Sequence, residues 1–143
     1  MQNFSKGLLD SIDRVEQILN TVASNYGGIV TRDFPARSVE TPISRLLISI
    51  GIDNINCDIL SFGNNKNEDV LNGDVVDVVY CIAYHSPMNC DGSFLQEVFM
   101  KVADKFCESK STNCIKIESK AISYNRSERT IVLKSYFTLR FII

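Results

Sequence analysis

The chain has 143 residues, a length typical of a single domain, which buries roughly two thirds of the surface that its unfolded form exposes. Hydrophobic residues make up 45% of the chain and charged residues 22%, the usual balance of a globular protein that folds without disulfides or metals. The 15 basic and 17 acidic side chains leave a formal charge of -2, so we expect neither nucleic acid nor an anionic membrane as a partner.

The N-terminus has no basic flank followed by an apolar stretch, and no segment approaches the about 18 consecutive apolar residues of a membrane helix. We therefore expect a cytosolic protein. The cysteines form an odd set without a close pair, which predicts neither a complete disulfide framework nor a zinc knuckle. We expect most of them to be small buried hydrophobes. The set is Cys57, Cys81, Cys90, Cys107 and Cys114.

The first predicted element is an amphipathic helix, because apolar side chains in residues 8–22 recur at spacings of three and four. Gly27 and Gly28 place its end near Tyr26, since glycine readily adopts the left-handed conformation that ends helices. A short strand at residues 29–34 is expected to follow.

The central part of the chain predicts two strands separated by a polar loop. Residues 45–53 alternate apolar and other side chains with the period of a half-buried strand. Residues 61–74 are rich in asparagine, glycine and acids, which predicts a flexible loop. Residues 75–84 are apolar on both faces apart from Asp77, a pattern typical of a central strand or of one with a face covered by a partner subunit.

Asp91 or Ser93 is expected to cap a second helix, and Gln96 would complete a capping box with Ser93. Its apolar face is Phe94, Leu95, Val98, Phe99, Val102, Ala103 and Phe106. Residues 114–124 and 130–143 predict a closing β-hairpin joined by a polar turn. The predicted fold class is α+β: a single antiparallel or mixed sheet with two helices packed on one face, in the order α-β-β-β-α-β-β.

Residue chemistry provides no convincing active site, so we expect a protein that is not an enzyme and uses no cofactor or metal. His85 lies on the same predicted strand face as Cys81 and Asp77, but about 13 and 26 Å from them, and is expected to be exposed. The acidic pairs lie on a solvated helix face and in the polar loop.

The order of elements, combined with several short stretches, resembles the small tail-terminator or tail-completion proteins of long-tailed phages and prophages. The likeness includes a proline-containing crossover at residues 28–42 and an Asp-Gly turn at residues 91–92 before the second helix. It also includes a Tyr-x-Arg turn at residues 124–126 and a Thr-Leu-Arg stretch at residues 138–140. A Phe-Gly-Asn stretch at residues 62–64 is similar to one in tail-region proteins of clostridial-type prophages.

The resemblance implies a homo-oligomer, a ring of six subunits that caps the tail tube and joins it to the head connector. It would assemble in the bacterial cytoplasm and remain in the virion tail. Candidate interaction residues in the polar loop and on the strand after it are Phe62, Asn64, Asn65, Glu68, Asp69, Val75 and Val79. We hypothesise that the loop is disordered in the free protein and becomes ordered against a tail partner.

Three alternatives stay open from the sequence. The chain resembles other neck and baseplate components in its architecture. A small-molecule-binding domain would close its polar loop over an apolar pocket beside the sheet. A hydrolase would need Cys81 or Cys90 beside His85.

Overall fold

The computed structural model describes residues 4–32, 45–59, 74–87, 91–109, 113–126 and 130–142. Within these ranges the chain forms two helices and six strands. The elements are α1 (Phe4–Asn25), β1 (Ile29–Arg32), β2 (Leu47–Ile59), β3 (Asp74–Pro87), α2 (Gly92–Glu108), β4 (Cys114–Ser119), β5 (Ser123–Asn125) and β6 (Thr130–Ile142).

The strands form one mixed sheet in the order β1-β2-β3-β6-β4, and β5 also pairs with β6. β1 runs parallel to β2, and the other described pairs are antiparallel. The predicted α+β fold class and element order are therefore confirmed. The first arm of the predicted closing hairpin is interrupted, because residues 120–122 separate β4 from β5.

Both helices pack on the same face of the sheet, with α1 and α2 antiparallel. Tyr26 at the end of α1 contacts Phe94 at the start of α2, with ring centroids 5.6 Å apart. The Phe106 ring of α2 lies 4.5 Å from the Phe137 ring of β6. Apolar side chains at three- and four-residue spacing thus meet alternate residues of the strands, and each fully buried side chain stabilises the fold by about 1.5–3 kcal/mol. The centre of this core is Val15, Leu19, Ile50, Tyr80, Ile82, Leu95, Val98, Val102 and Phe137.

The helix ends follow local chemistry. Gly27 has a φ of +66°, the left-handed conformation expected after α1. The Asp91 carboxylate accepts a hydrogen bond from the backbone N–H of Ser93 at 3.0 Å, so Asp91 and not Ser93 is the N-cap of α2. Arg32 on β1 pairs with Asp13 and Glu16 of α1 at 2.9 and 2.6 Å, which ties the edge of the sheet to the helix.

β2 is longer than predicted, ending at Ile59 rather than near residue 53. The polar residues after Ile52 suggested an end, but pairing with β3 continues through a register shift between Ile52 and Asn54. β1 covers only residues 47–50 of β2, so the rest of β2 has β3 as its one neighbour among the described strands. Ile52 and Ile55 are accordingly exposed. The predicted loop at residues 61–74 lies outside the described residues, except that Asp74 begins β3.

Candidate interaction surface on the sheet face opposite the helices

The face of the sheet opposite the helices is here called the outer face. Strand alternation and register define its members, and none of the described helices covers it. On the central strands it comprises Val75, Asp77, Val79, Cys81, Ala83 and His85 of β3 and Val132, Lys134, Tyr136, Thr138, Arg140 and Ile142 of β6. β2 adds Leu47, Ser49 and Gly51 and, after the register shift, Asn54 and Asn56, and β4 adds Lys116 and Glu118.

The outer face has two parts that differ in burial. Leu47, Ala83 and Val132 are 5%, 6% and 4% exposed, so the apolar side chains at their end of the face are not accessible to a partner. Val75 and Val79 lie towards the other end of β3 and are half-buried. Their partners on β6 are Ile142, which is exposed, and Thr138, which is half-buried. Any docking on the outer face therefore falls on this second part.

A bidentate ion pair crosses the half-buried part of the outer face. Arg140 Nε and Nη2 donate to the two carboxylate oxygens of Asp77 at 2.7 and 2.9 Å. These hydrogen bonds hold the pKa of the Asp77 carboxyl below its ordinary value, against a smaller opposing effect of burial. Asp77 is the acidic residue that interrupts the apolar pattern of residues 75–84. Its charge is therefore neutralised by Arg140, its cross-strand partner.

A shallow depression of about 290 Å³ lies beside this ion pair. It is lined by Asp53, Val79, Lys116, Glu118, Lys120, Tyr136 and Thr138. Lys116 Nζ pairs with Glu118 Oε1 at 2.8 Å, and Lys120 Nζ lies 5.8 Å from the centre of the Tyr136 ring. The pKa of the Tyr136 hydroxyl is raised, first by its electrostatic interaction with Cys81 opposite it and then by burial. The lining alternates positive and negative charge, which suits a polar protein surface better than a small apolar ligand.

Between the helices, two further depressions of about 420 and 440 Å³ share Lys105 and Glu108. Charged and amide side chains such as Arg14, Gln17 and Asn25 contribute to their linings. Neither has the apolar lining beside the sheet that the small-molecule alternative predicts.

His85 is not simply exposed, as the sequence suggested. It is half-buried on β3, and its Nε2 lies 3.2 Å from Ser49 Oγ on β2. Sequence reasoning missed this contact because Ser49 is 36 positions away, and only the β2–β3 register makes the two side chains neighbours. Cys81, which the hydrolase alternative places beside His85, is on the same face but about 13 Å away along the strand. Cys90, its other candidate, lies outside the described residues.

The prediction that most cysteines are buried is wrong for those described. Cys57 and Cys107 are exposed, and Cys81 and Cys114 are partly buried. Cys57 lies on the part of β2 beyond β1, and Cys107 lies on the solvent side of α2. Among the described residues, no group of three or more His, Cys, Asp or Glu side chains is placed to hold a metal ion.

Of the predicted interaction residues, Val75 and Val79 lie on the half-buried part of the outer face, two pleats apart on β3. Phe62, Asn64, Asn65, Glu68 and Asp69 fall outside the described residues. Neither described helix is long and apolar enough to cross a membrane. No protein-family model matches the chain, and no curated protein matches it.

Proposed function

We propose that this chain is a structural subunit of a phage or prophage tail, of the terminator or completion type. It associates with copies of itself as a ring of six and contacts the tail tube and head connector. It performs no catalysis and needs no cofactor. The resemblance in element order and short stretches supports the proposal, and the observation that carries it is the outer face, which no described helix covers.

The outer face suits a protein partner for a physical reason. Val75 lies opposite the exposed Ile142 and Val79 lies opposite Thr138, and both valines remain half-buried in the single chain. Burying such a surface against a neighbour removes apolar area from water, and the charged side chains around it give orientation. Asp77 and Arg140 already neutralise each other, so their burial would leave no uncompensated charge.

The first experiment measures the assembly state of the parent and of Val79→Asp by sedimentation. An added carboxylate on the outer face should prevent burial of that face and shift the protein to smaller species. Leu9→Asp is the matched control, because Leu9 is 60% exposed on α1, on the other side of the molecule. Equal assembly of parent, Val79→Asp and Leu9→Asp would exclude the outer face as the self-association surface.

The second experiment tests the tail assignment. Deletion of the gene in its native host, followed by electron microscopy of induced particles, should give tails of uncontrolled length or tails without heads. The parent gene supplied in trans should restore complete particles, and the Val79→Asp gene should not. Normal particles after deletion would contradict the assignment to the tail.

A further inference from the structure

The outer edge of β4 is not paired with any of the described strands. β4 is the last strand of the sheet and has β6 as its only neighbour among the described strands. Beyond its end, the Lys120 N–H donates to the Lys134 carbonyl at 2.8 Å. In an antiparallel ladder, the residues that bond to the neighbour alternate with residues that point the other way. The backbone groups of Ile117 and Ser119 therefore point away from β6.

The side chains along this edge carry alternating charge. Lys116 and Glu118 lie on the outer face, opposite Thr138 and Tyr136, and their side chains are 64% and 43% exposed. Ile117 lies between them on the helix side and packs against the core while remaining partly exposed. A lysine on an edge strand usually opposes pairing with another chain. Here Glu118 lies two residues from Lys116, so the register decides whether pairing of two β4 strands is favourable.

We propose that β4 pairs with β4 of a second copy, antiparallel, about a two-fold axis at Ile117. In this register Lys116 of each copy faces Glu118 of the other, so two opposite-charge pairs form. These positions are non-hydrogen-bonded pairs, in which side chains approach most closely, while Ile117 and its counterpart exchange backbone hydrogen bonds. The two Ile117 side chains meet on the helix side and extend the core across the axis.

The neighbouring registers are unfavourable, which gives the pairing its specificity. Because side chains alternate, the strand can shift only so that outer-face residues still face each other. An axis at Lys116 places the two Lys116 side chains opposite each other. An axis at Glu118 places the two Glu118 side chains opposite each other. It also places Lys116 of one copy opposite Lys120 of the other. An axis at Ser119 opposes Glu118 with Lys120 but extends the pairing into residues 120–122, which lie between β4 and β5.

This contact goes beyond the proposed ring and does not rest on it. A ring is built from head-to-tail contacts between different surfaces, whereas the β4 contact is two-fold and uses one surface twice. Lys116 and Glu118 lie on the outer face as well as on the β4 edge, beside Val79. The two contacts are therefore separated by Ser119→Pro, because Ser119 pairs with Ser135 on the helix side of the sheet and the substitution changes only the edge backbone.

The test is charge reversal followed by measurement of dimer dissociation in sedimentation equilibrium. Lys116→Glu and Glu118→Lys each place like charges opposite one another twice, so each should raise the dimer Kd by about tenfold or more. Mixing the two variants should give a heterodimer, and the double variant should recover the parent Kd. Lys101→Glu, an equal charge change on an exposed position of α2, is the matched control and should leave the Kd unchanged.

A backbone variant tests the edge without changing charge. Ser119→Pro removes an outward N–H from an exposed position, so it should weaken the dimer while circular dichroism shows a folded monomer. The proposal is overturned if the parent is monomeric throughout, or if its association is unaffected by the reversals and by the proline. It is also overturned if the single variants lose association and neither mixing nor the double variant recovers it.

Discussion

The Tyr80 hydroxyl donates a 2.8 Å hydrogen bond to Ser11 Oγ across the core, which joins the central strand β3 to α1. Both residues are buried, and they are 69 positions apart in the chain. Burial raises the pKa of the Tyr80 phenol, which keeps it neutral and able to donate this bond. The contact fixes how the helix lies along the sheet at its centre.

We predict that Tyr80→Phe lowers the free energy of unfolding by about 1 kcal/mol, because a buried hydrogen bond is lost and the ring still packs. Denaturant unfolding of Tyr80→Phe, Ser11→Ala and the double variant should give a double-mutant cycle with a measurable coupling energy. Tyr124→Phe is the control, since Tyr124 is 49% exposed and should change stability little. Additive effects of the two core changes would show that the bond contributes nothing.

Alkaline pH is expected to destabilise the fold through Tyr84. Burial raises the pKa of the Tyr84 phenol far above its ordinary value of 10.0, and Ser135 Oγ lies 3.1 Å from its oxygen. Above about pH 10 the unfolded chain loses this proton while the folded chain keeps it, so stability is complete below that pH and falls as pH rises. Unfolding free energies measured between pH 8 and pH 11.5 should decline more steeply for the parent than for Tyr84→Phe. Parallel curves would contradict the buried, protonated state of Tyr84.

Substitution of the α2 aromatic residues should separate buried from half-buried positions. Phe106 is 2% exposed and stacks on Phe137, so Phe106→Ala is expected to cost about 3–5 kcal/mol. Phe99 is half-buried against Tyr84 and Phe137, so Phe99→Ala should cost less. Met100→Ala, on the exposed side of α2, should stay within about 0.5 kcal/mol in the same denaturation assay. Changes below about 1 kcal/mol at both phenylalanines would mean that the helix face is wrong.

The Ser49–His85 contact is expected to be structural. Ser49→Ala and His85→Ala should each cost about 1 kcal/mol and leave assembly intact, because the lost hydrogen bond lies at the more buried end of the outer face. The measurements are unfolding free energy and sedimentation. A Ser–His hydrogen bond is also part of nucleophilic catalysis, so hydrolysis of activated esters is the contrary readout. If the parent hydrolyses activated esters and both variants do not, the Ser49–His85 pair is catalytic.

The sequence predicted the elements well where one periodicity dominated. The apolar spacing of α1 and α2 and the alternation of β3 and β6 each had one consistent solution, and the structure follows it. The prediction from sequence failed where pairing between strands overrides local preference. The polar second half of β2 is an example, because it is a strand only through its hydrogen bonds to β3.

The candidate site was harder to predict than the fold. Val75 and Val79 were found because β3 is apolar on both faces, a local signal. The Ser49–His85 and Asp77–Arg140 contacts depend on register between strands that are distant in sequence, and no local pattern encodes that register. The same holds for the β4 edge, whose position follows from strand order alone.

The position of β6 has a consequence for synthesis of the protein. β6 is the last described strand in the chain, yet it lies between β3 and β4 in the interior of the sheet. During translation, β3 therefore emerges with one edge unpaired. Val76 and Val78 lack their neighbours on β6 until residues 130–142 have left the ribosome. Nascent chains at that stage expose an apolar strand edge, the feature through which incomplete chains aggregate. Prematurely terminated products ending before Thr130 should accordingly collect in the insoluble fraction, whereas the 143-residue chain stays in solution.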